Sequence, residues 1–71
     1  MYTVIGKQRK AGIYQNREYD NTYLYVTYAG KDMEGLACTT IKGKTNDLGD
    51  ISVGDTIEPL YDRYGNCIGV R

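Results

Sequence analysis

The chain contains no histidine, no tryptophan and no phenylalanine, and it has one proline and two cysteines among its 71 residues. Without histidine it lacks the side chain best suited to acid–base work near neutral pH and the commonest nitrogen ligand for metals. Cys38 and Cys67 are far apart with no CxxC spacing, so sequence neighbours form no thiolate metal set. Both are expected as buried small hydrophobes. A disulfide would need the fold to bring their Cα atoms within roughly 6 Å of each other. No apolar run approaches the ~20 residues of a membrane span. The opening MYTVIGKQRKAG turns polar at Lys7 and lacks the apolar centre of a secretory signal. These absences predict a cytoplasmic protein with no membrane partner and no cofactor, and the start at Met1 is expected to be that of a complete small open reading frame.

Seventy-one residues make one domain, residues 1–71. A domain of this size leaves roughly 40% of its unfolded surface exposed, so it holds one thin core and gains from a second copy or another staple. No stretch places apolar residues at i, i+3 and i+4 over three turns, which excludes an amphipathic helix. Nine glycines instead divide the chain into short pieces, the pattern of a small β-barrel.

The first strand is expected at Tyr2–Lys10, with Thr3, Ile5, Lys7 and Arg9 on one side and Tyr2, Val4, Gly6 and Gln8 on the other. Gly6 marks a bulge or a tight bend. Ala11-Gly12 reads as a kink or the start of a loop, and Gln15-Asn16 as a small turn. Thr22–Tyr28, TYLYVTY, is the strongest strand. Thr22, Leu24, Val26 and Tyr28 share the inward face, and Tyr23, Tyr25 and Thr27 share the outward one. A polar loop at Gly30–Gly35 leads to a third strand at Leu36–Lys44. Thr45–Asp50 has room for one helical turn. Val53-Gly54-Asp55 turns into a strand at Thr56–Tyr61, where Pro59 requires an edge or a bulge. A hairpin turn at Asp62–Asn66, with Gly65 and Asn66 suited to positive φ, precedes a last strand at Cys67–Val70. The expected fold is all-β: a small five-stranded OB-type barrel or a strongly curled antiparallel sheet, an SH3-like barrel having a similar count of strands.

Net charge is zero but unevenly distributed. Residues 1–17 carry Lys7, Arg9, Lys10 and Arg17 with no acid. Residues 47–62 carry Asp47, Asp50, Asp55, Glu58 and Asp62 with no base. All eight aromatic residues are tyrosine, a strand former that tolerates half exposure because its ring sits on apolar surface while its hydroxyl meets water.

Enzymatic chemistry finds no support. Ser52 has no partner for activation. The carboxylate pairs Asp47/Asp50 and Asp55/Glu58 read as solvated turn residues, and so small a chain offers little wall for the cleft a glycosidase pair needs. GKDMEG and GKTNDLG lack P-loop spacing. The protein is expected not to be an enzyme. A binding constellation is better supported. Lys7, Arg9, Lys10 and Arg17 interleave with Tyr14, Tyr19, Tyr23 and Tyr25, and Lys42 and Lys44 lie on a strand suited to stand beside them. Single-strand binding needs cations along the phosphates and aromatic faces for the bases, each stack being worth roughly 1–3 kcal/mol.

The order of elements resembles the filamentous-phage single-stranded DNA-binding proteins of the gene V type. The similar features are a basic first strand, then Gly12, Tyr14, Arg17 and Tyr19 in the pattern G-x-Y-x-x-R-x-Y, then the tyrosine-rich TYLYVTY. A late turn at Val53-Gly54-Asp55 and a closing hairpin complete the likeness. The resemblance implies an OB-fold homodimer that coats single strands, with Arg9, Lys10, Tyr14, Arg17, Tyr19 and Tyr25 as contacts. The zero net charge and the acidic 47–62 segment depart from that pattern. The expected function is therefore non-catalytic binding of single-stranded DNA, with RNA as the related ligand, in a phage or mobile-element setting. The expected contacts are Lys7, Arg9, Lys10, Tyr14, Arg17, Tyr19, Tyr23, Tyr25 and Lys42. The competing reading is a small β-barrel adaptor or regulatory subunit that uses the tyrosines as a protein-binding patch. It gains if Lys7, Arg9, Arg17 and Lys42 stand away from the face of Tyr14, Tyr23 and Tyr25.

Overall fold

The computed structural model describes residues 1–71 and is almost entirely β. Strands β1 (Tyr2–Tyr14) and β2 (Arg17–Tyr28) form one long hairpin, followed by β3 (Ala37–Lys44), the single-turn helix α1 (Thr45–Leu48), β4 (Thr56–Ile57), β5 (Pro59–Tyr61) and β6 (Cys67–Val70). The sheet order is β4-β1-β2-β3-β6-β5. All paired neighbours are antiparallel except β3 and β6, which meet in parallel at Gly43 and Cys67.

The sheet nearly closes because its two ends are one piece of chain. Thr56 and Ile57 pair with Thr3 and Tyr2. Glu58 then exchanges two backbone hydrogen bonds with Arg71, at 3.1 and 2.8 Å, and Pro59 and Leu60 continue along β6. The switch falls where Pro59 is tolerated. Glu58 and Arg71 form a hydrogen-bonded pair, so the next residue directs its nitrogen away from β6 and needs no N–H there. Counting β4 and β5 as one bent strand gives a five-stranded barrel in which α1 joins β3 to that strand. This is the connectivity of an OB-type barrel.

The core is a single cluster: Val4, Leu24, Val26, Ile41, Leu48, Ile51, Ile57 and Cys67. Leu24 and Val26 are fully buried, and Thr22 with them, so TYLYVTY has the expected phase. Burying side chains of this size stabilises by about 1.5–3 kcal/mol each. Leu48 of α1 plugs the barrel against Gly43, where a built Cβ would stand 2.7 Å from the Leu48 side chain. Tyr2 and Tyr28 pack edge to face, with ring centroids 5.3 Å apart. Cys67 is buried, whereas Cys38 is exposed and both thiols are free, which corrects the expectation of two buried cysteines. No helix is long and apolar enough to cross a membrane.

The β1–β2 hairpin outruns its neighbours. β4 pairs only with Tyr2 and Thr3, and β3 pairs with β2 only as far as Asn21. Beyond those limits the two strands continue as a free ribbon, exposed from Lys7 of β1 through the turn to Asp20 of β2. Ala11-Gly12 neither kinks nor loops, since pairing runs unbroken from Gly6–Tyr25 to Tyr14–Arg17. Gln15 and Asn16 close the ribbon with φ of 50° and 62°, the pair of positive values a type I′ turn requires. At the other hairpin Gly65 has φ 83°, while Asn66 is not in the positive region.

Candidate nucleic-acid interface

Cross-strand partners project to the same side of a sheet, and successive residues alternate. The register therefore sorts every side chain of β1, β2 and β3. Lys10, Tyr14, Arg17, Tyr19, Asn21, Tyr23, Tyr25, Lys42 and Lys44 fall on one face, the outer one. That face of the three strands carries four cations and no carboxylate. Glu18 and Asp20 alternate onto the opposite face, so the zero net charge of the chain conceals a basic surface. A shallow groove runs over it, lined by Tyr14, Arg17, Glu18, Tyr19, Tyr23 and Lys42, so one carboxylate from the opposite register reaches it. A second depression adjoins it, with Lys42, Lys44, Asp47, Asp62 and Ile68 in its lining.

Lys7 and Arg9 stand apart from this face. A bulge between Val4 and Gly6 sets both Ile5 and Gly6 against Tyr25 and resets the alternation. Val4 pairs with Val26 before it, and Lys7 faces Leu24 after it. Thr3 and Lys7, expected on one side, are thus on opposite sides. Both displaced cations are engaged in structure. Lys7 Nζ donates to the Gly49 carbonyl at 2.6 Å, at the end of α1. Arg9 donates two hydrogen bonds to Asp20, at 2.9 and 2.6 Å. Asp20 also accepts the Thr45 hydroxyl at 2.6 Å. Thr45 has then spent its only proton, so in the 2.9 Å contact between the Thr22 and Thr45 hydroxyls, Thr22 is the donor. This chain braces the free ribbon against α1. The Arg9 hydrogen bonds, followed by the Thr45 hydroxyl, hold the Asp20 carboxyl down to about 2.

The tyrosines of the outer face are held in three ways. Tyr19 lies over Gly12, its direct cross-strand partner, with its hydroxyl oxygen 2.9 Å from where a Cβ would stand. Tyr25 lies over Gly6 in the same manner, at 3.4 Å, and donates its hydroxyl to Gln8 Oε1 at 2.7 Å. Each glycine lets a ring settle on the backbone while the residue stays 43% exposed at Tyr19 and 38% at Tyr25. Tyr14, 69% exposed, stands free near the tip. Tyr23 is half-buried and carries two ammonium groups near its ring, Lys10 at 4.8 Å and Lys42 at 5.7 Å from the centroid.

The acidic 47–62 segment is largely occupied with local structure. Asp55 accepts the Ser52 backbone N–H at 2.8 Å. Glu58 pairs with the amino terminus at 2.8 Å. Asp62 accepts the backbone N–H groups of Asn66 and Tyr64, both at 2.9 Å, and the Asn66 bond leads in lowering its carboxyl below the usual range. No group of three or more His, Cys, Asp and Glu is placed to hold a metal.

Seven of the nine expected site residues share the outer face, and Lys7 and Arg9 do not. Lys44 belongs with the seven: it is paired with Asn21 and two residues from Lys42, and that spacing on one strand was the signal for it. Comparison with known proteins finds no match for this chain, whether to a family model, a curated protein or a solved structure.

Proposed function

We propose that the protein binds single-stranded DNA, without catalysis, along the outer face of β1, β2 and β3. The observation that carries the reading is the sorting by register: Lys10, Arg17, Lys42 and Lys44 fall among Tyr14, Tyr19, Tyr23 and Tyr25 on the outward positions of the three strands, which contribute no carboxylate of their own, while Glu18, Asp47 and Asp62 border them. Cations along the phosphates and rings beneath the bases are the two requirements of sequence-tolerant single-strand binding. Tyr19 and Tyr14 offer the most accessible rings. Lys7 and Arg9 leave the contact set, since their charges are spent on α1 and Asp20. The resemblance to filamentous-phage single-strand-binding proteins supports the same function, and a cytoplasmic homodimer of phage or mobile-element origin belongs to this reading.

Titration of tyrosine fluorescence with oligo-dT at two salt concentrations tests it. Quenching at low salt that weakens steeply as salt rises is the expected result, because phosphate contacts release counterions. No binding at low salt would reject it in favour of the adaptor reading.

A further inference from the structure

The single-strand reading treats every outer tyrosine as a possible base platform, but Tyr23 differs from the others. Lys42 is its direct partner on β3, and Lys10 reaches it diagonally from β1, where Gln8 is the direct partner. Both ammonium groups sit within cation–π range of this one ring. The three residues form a row across three adjacent strands. A base stacking on Tyr23 would have to displace a lysine from the ring. It would exchange a charge–quadrupole contact for a stack and leave a cation without its support. Tyr14 and Tyr19 carry no such neighbours and are more exposed.

We infer that Tyr23 is a positioning residue: its ring holds Lys10 and Lys42 as a two-pronged clamp for the phosphodiester backbone, while the bases stack on Tyr14 and Tyr19. The inference rests on the single-strand reading and assigns work within it. The lysine stems are long and flexible, and an unsupported ammonium would sample many positions in water. A ring flanked by two ammonium groups restricts both before the strand arrives. The clamp recognises phosphate, so it is indifferent to base identity.

The test is a mutant cycle with oligo-dT as the probe. Tyr23→Leu is compared in the wild-type and in the Lys10→Gln/Lys42→Gln backgrounds, from 0.05 M to 0.5 M monovalent salt. Each lost phosphate contact lowers the salt slope by about 0.7 for a single strand, which is about fivefold in affinity per tenfold change in salt. Y23L is expected to weaken binding about fivefold at 0.1 M salt and less than about twofold on extrapolation to 1 M. In the double-glutamine background it should change affinity less than about twofold. A Y23L deficit that persists at 1 M and is equal in both backgrounds would mean that Tyr23 stacks a base, and would overturn the clamp while leaving DNA binding intact. A wild-type protein that fails to bind oligo-dT at all would overturn both. A second measurement needs no variant. Ring-current shifts of the Lys10 and Lys42 side-chain methylenes should be present in the free protein and survive saturation with oligo-dT. Their absence, or their loss on binding, contradicts the clamp.

Discussion

Arg9 and Asp20 join diagonally across the β1–β2 ribbon, Nε to Oδ1 at 2.9 Å and Nη2 to Oδ2 at 2.6 Å. Through Thr45 the same carboxylate reaches α1. Asp20 is held near 2, below the value of about 3.9 expected in an unfolded chain. A carboxylate depressed by folding stabilises the native state at pH values above its unfolded pKa, and that contribution is lost as pH falls towards the folded one. Stability should therefore decline between about pH 4 and pH 2, and Asp20→Asn should flatten part of that decline. Asp62, also lowered, retains its own share. Urea midpoints from pH 2 to 6 provide the check. An unaltered acid limb in D20N would show that the brace contributes nothing.

Gly43 is required by Leu48 rather than by its backbone angles. A Cβ there would stand 2.7 Å from Leu48 Cδ1 and 3.1 Å from the Cys67 carbonyl oxygen. Gly43→Ala should destabilise by about 1–3 kcal/mol, as overpacking does. In a Leu48→Ala background, itself costing about 2–5 kcal/mol, the same change should cost less. Denaturant unfolding of the four proteins gives the coupling, and strict additivity would refute the clash.

Gly12 should matter to binding more than to stability. Gly12→Ala meets only the outer part of the Tyr19 ring, at the hydroxyl, Cζ and Cε1, which can swing aside. A stability change within about 0.5 kcal/mol is expected, as for ordinary surface sites. Losing the ring's seat should still weaken oligo-dT binding, by less than the roughly 1–3 kcal/mol that removing a stacking ring costs. Tyr19→Leu sets the upper limit in the same titration.

The two thiols should react at different rates. Cys38 is exposed and Cys67 is buried among core residues. In native protein a thiol reagent should modify Cys38 promptly and Cys67 only as the barrel opens. Mass spectrometry resolves the two sites, and equal rates would place Cys67 outside the core.

Much of the barrel was legible because burial and the pleat agree. Leu24 and Val26 alternate with Tyr23 and Tyr25, and only one phase buries the aliphatic pair. The single turn of α1 followed from a connection too short for more. What escaped was long-range. Gly6 announced a bulge, but its consequence, the transfer of Lys7 and Arg9 to the other face, depends on which residue of β2 absorbs the extra one. Ala11-Gly12 read as a break because glycine weakens an isolated strand. Its role as the seat of Tyr19 becomes visible only when β2 lies alongside. The parallel pairing of β3 with β6 left no local mark either. The acidic segment drew attention as a patch, yet Asp55, Glu58 and Asp62 each serve a nearby donor.

The most direct test of the account compares two triple variants that remove the same charge from different places. Lys10→Gln/Arg17→Gln/Lys42→Gln removes three of the four cations of the outer face, and Lys31→Gln/Arg63→Gln/Arg71→Gln takes three cations from elsewhere on the chain. Titrated with oligo-dT at 0.1 M salt, the first should lose on the order of a hundredfold in affinity with a slope lower by about 2. The second should stay within about threefold of wild type. Equal losses in the two would mean that binding follows overall charge, and would contradict the assignment of the outer face.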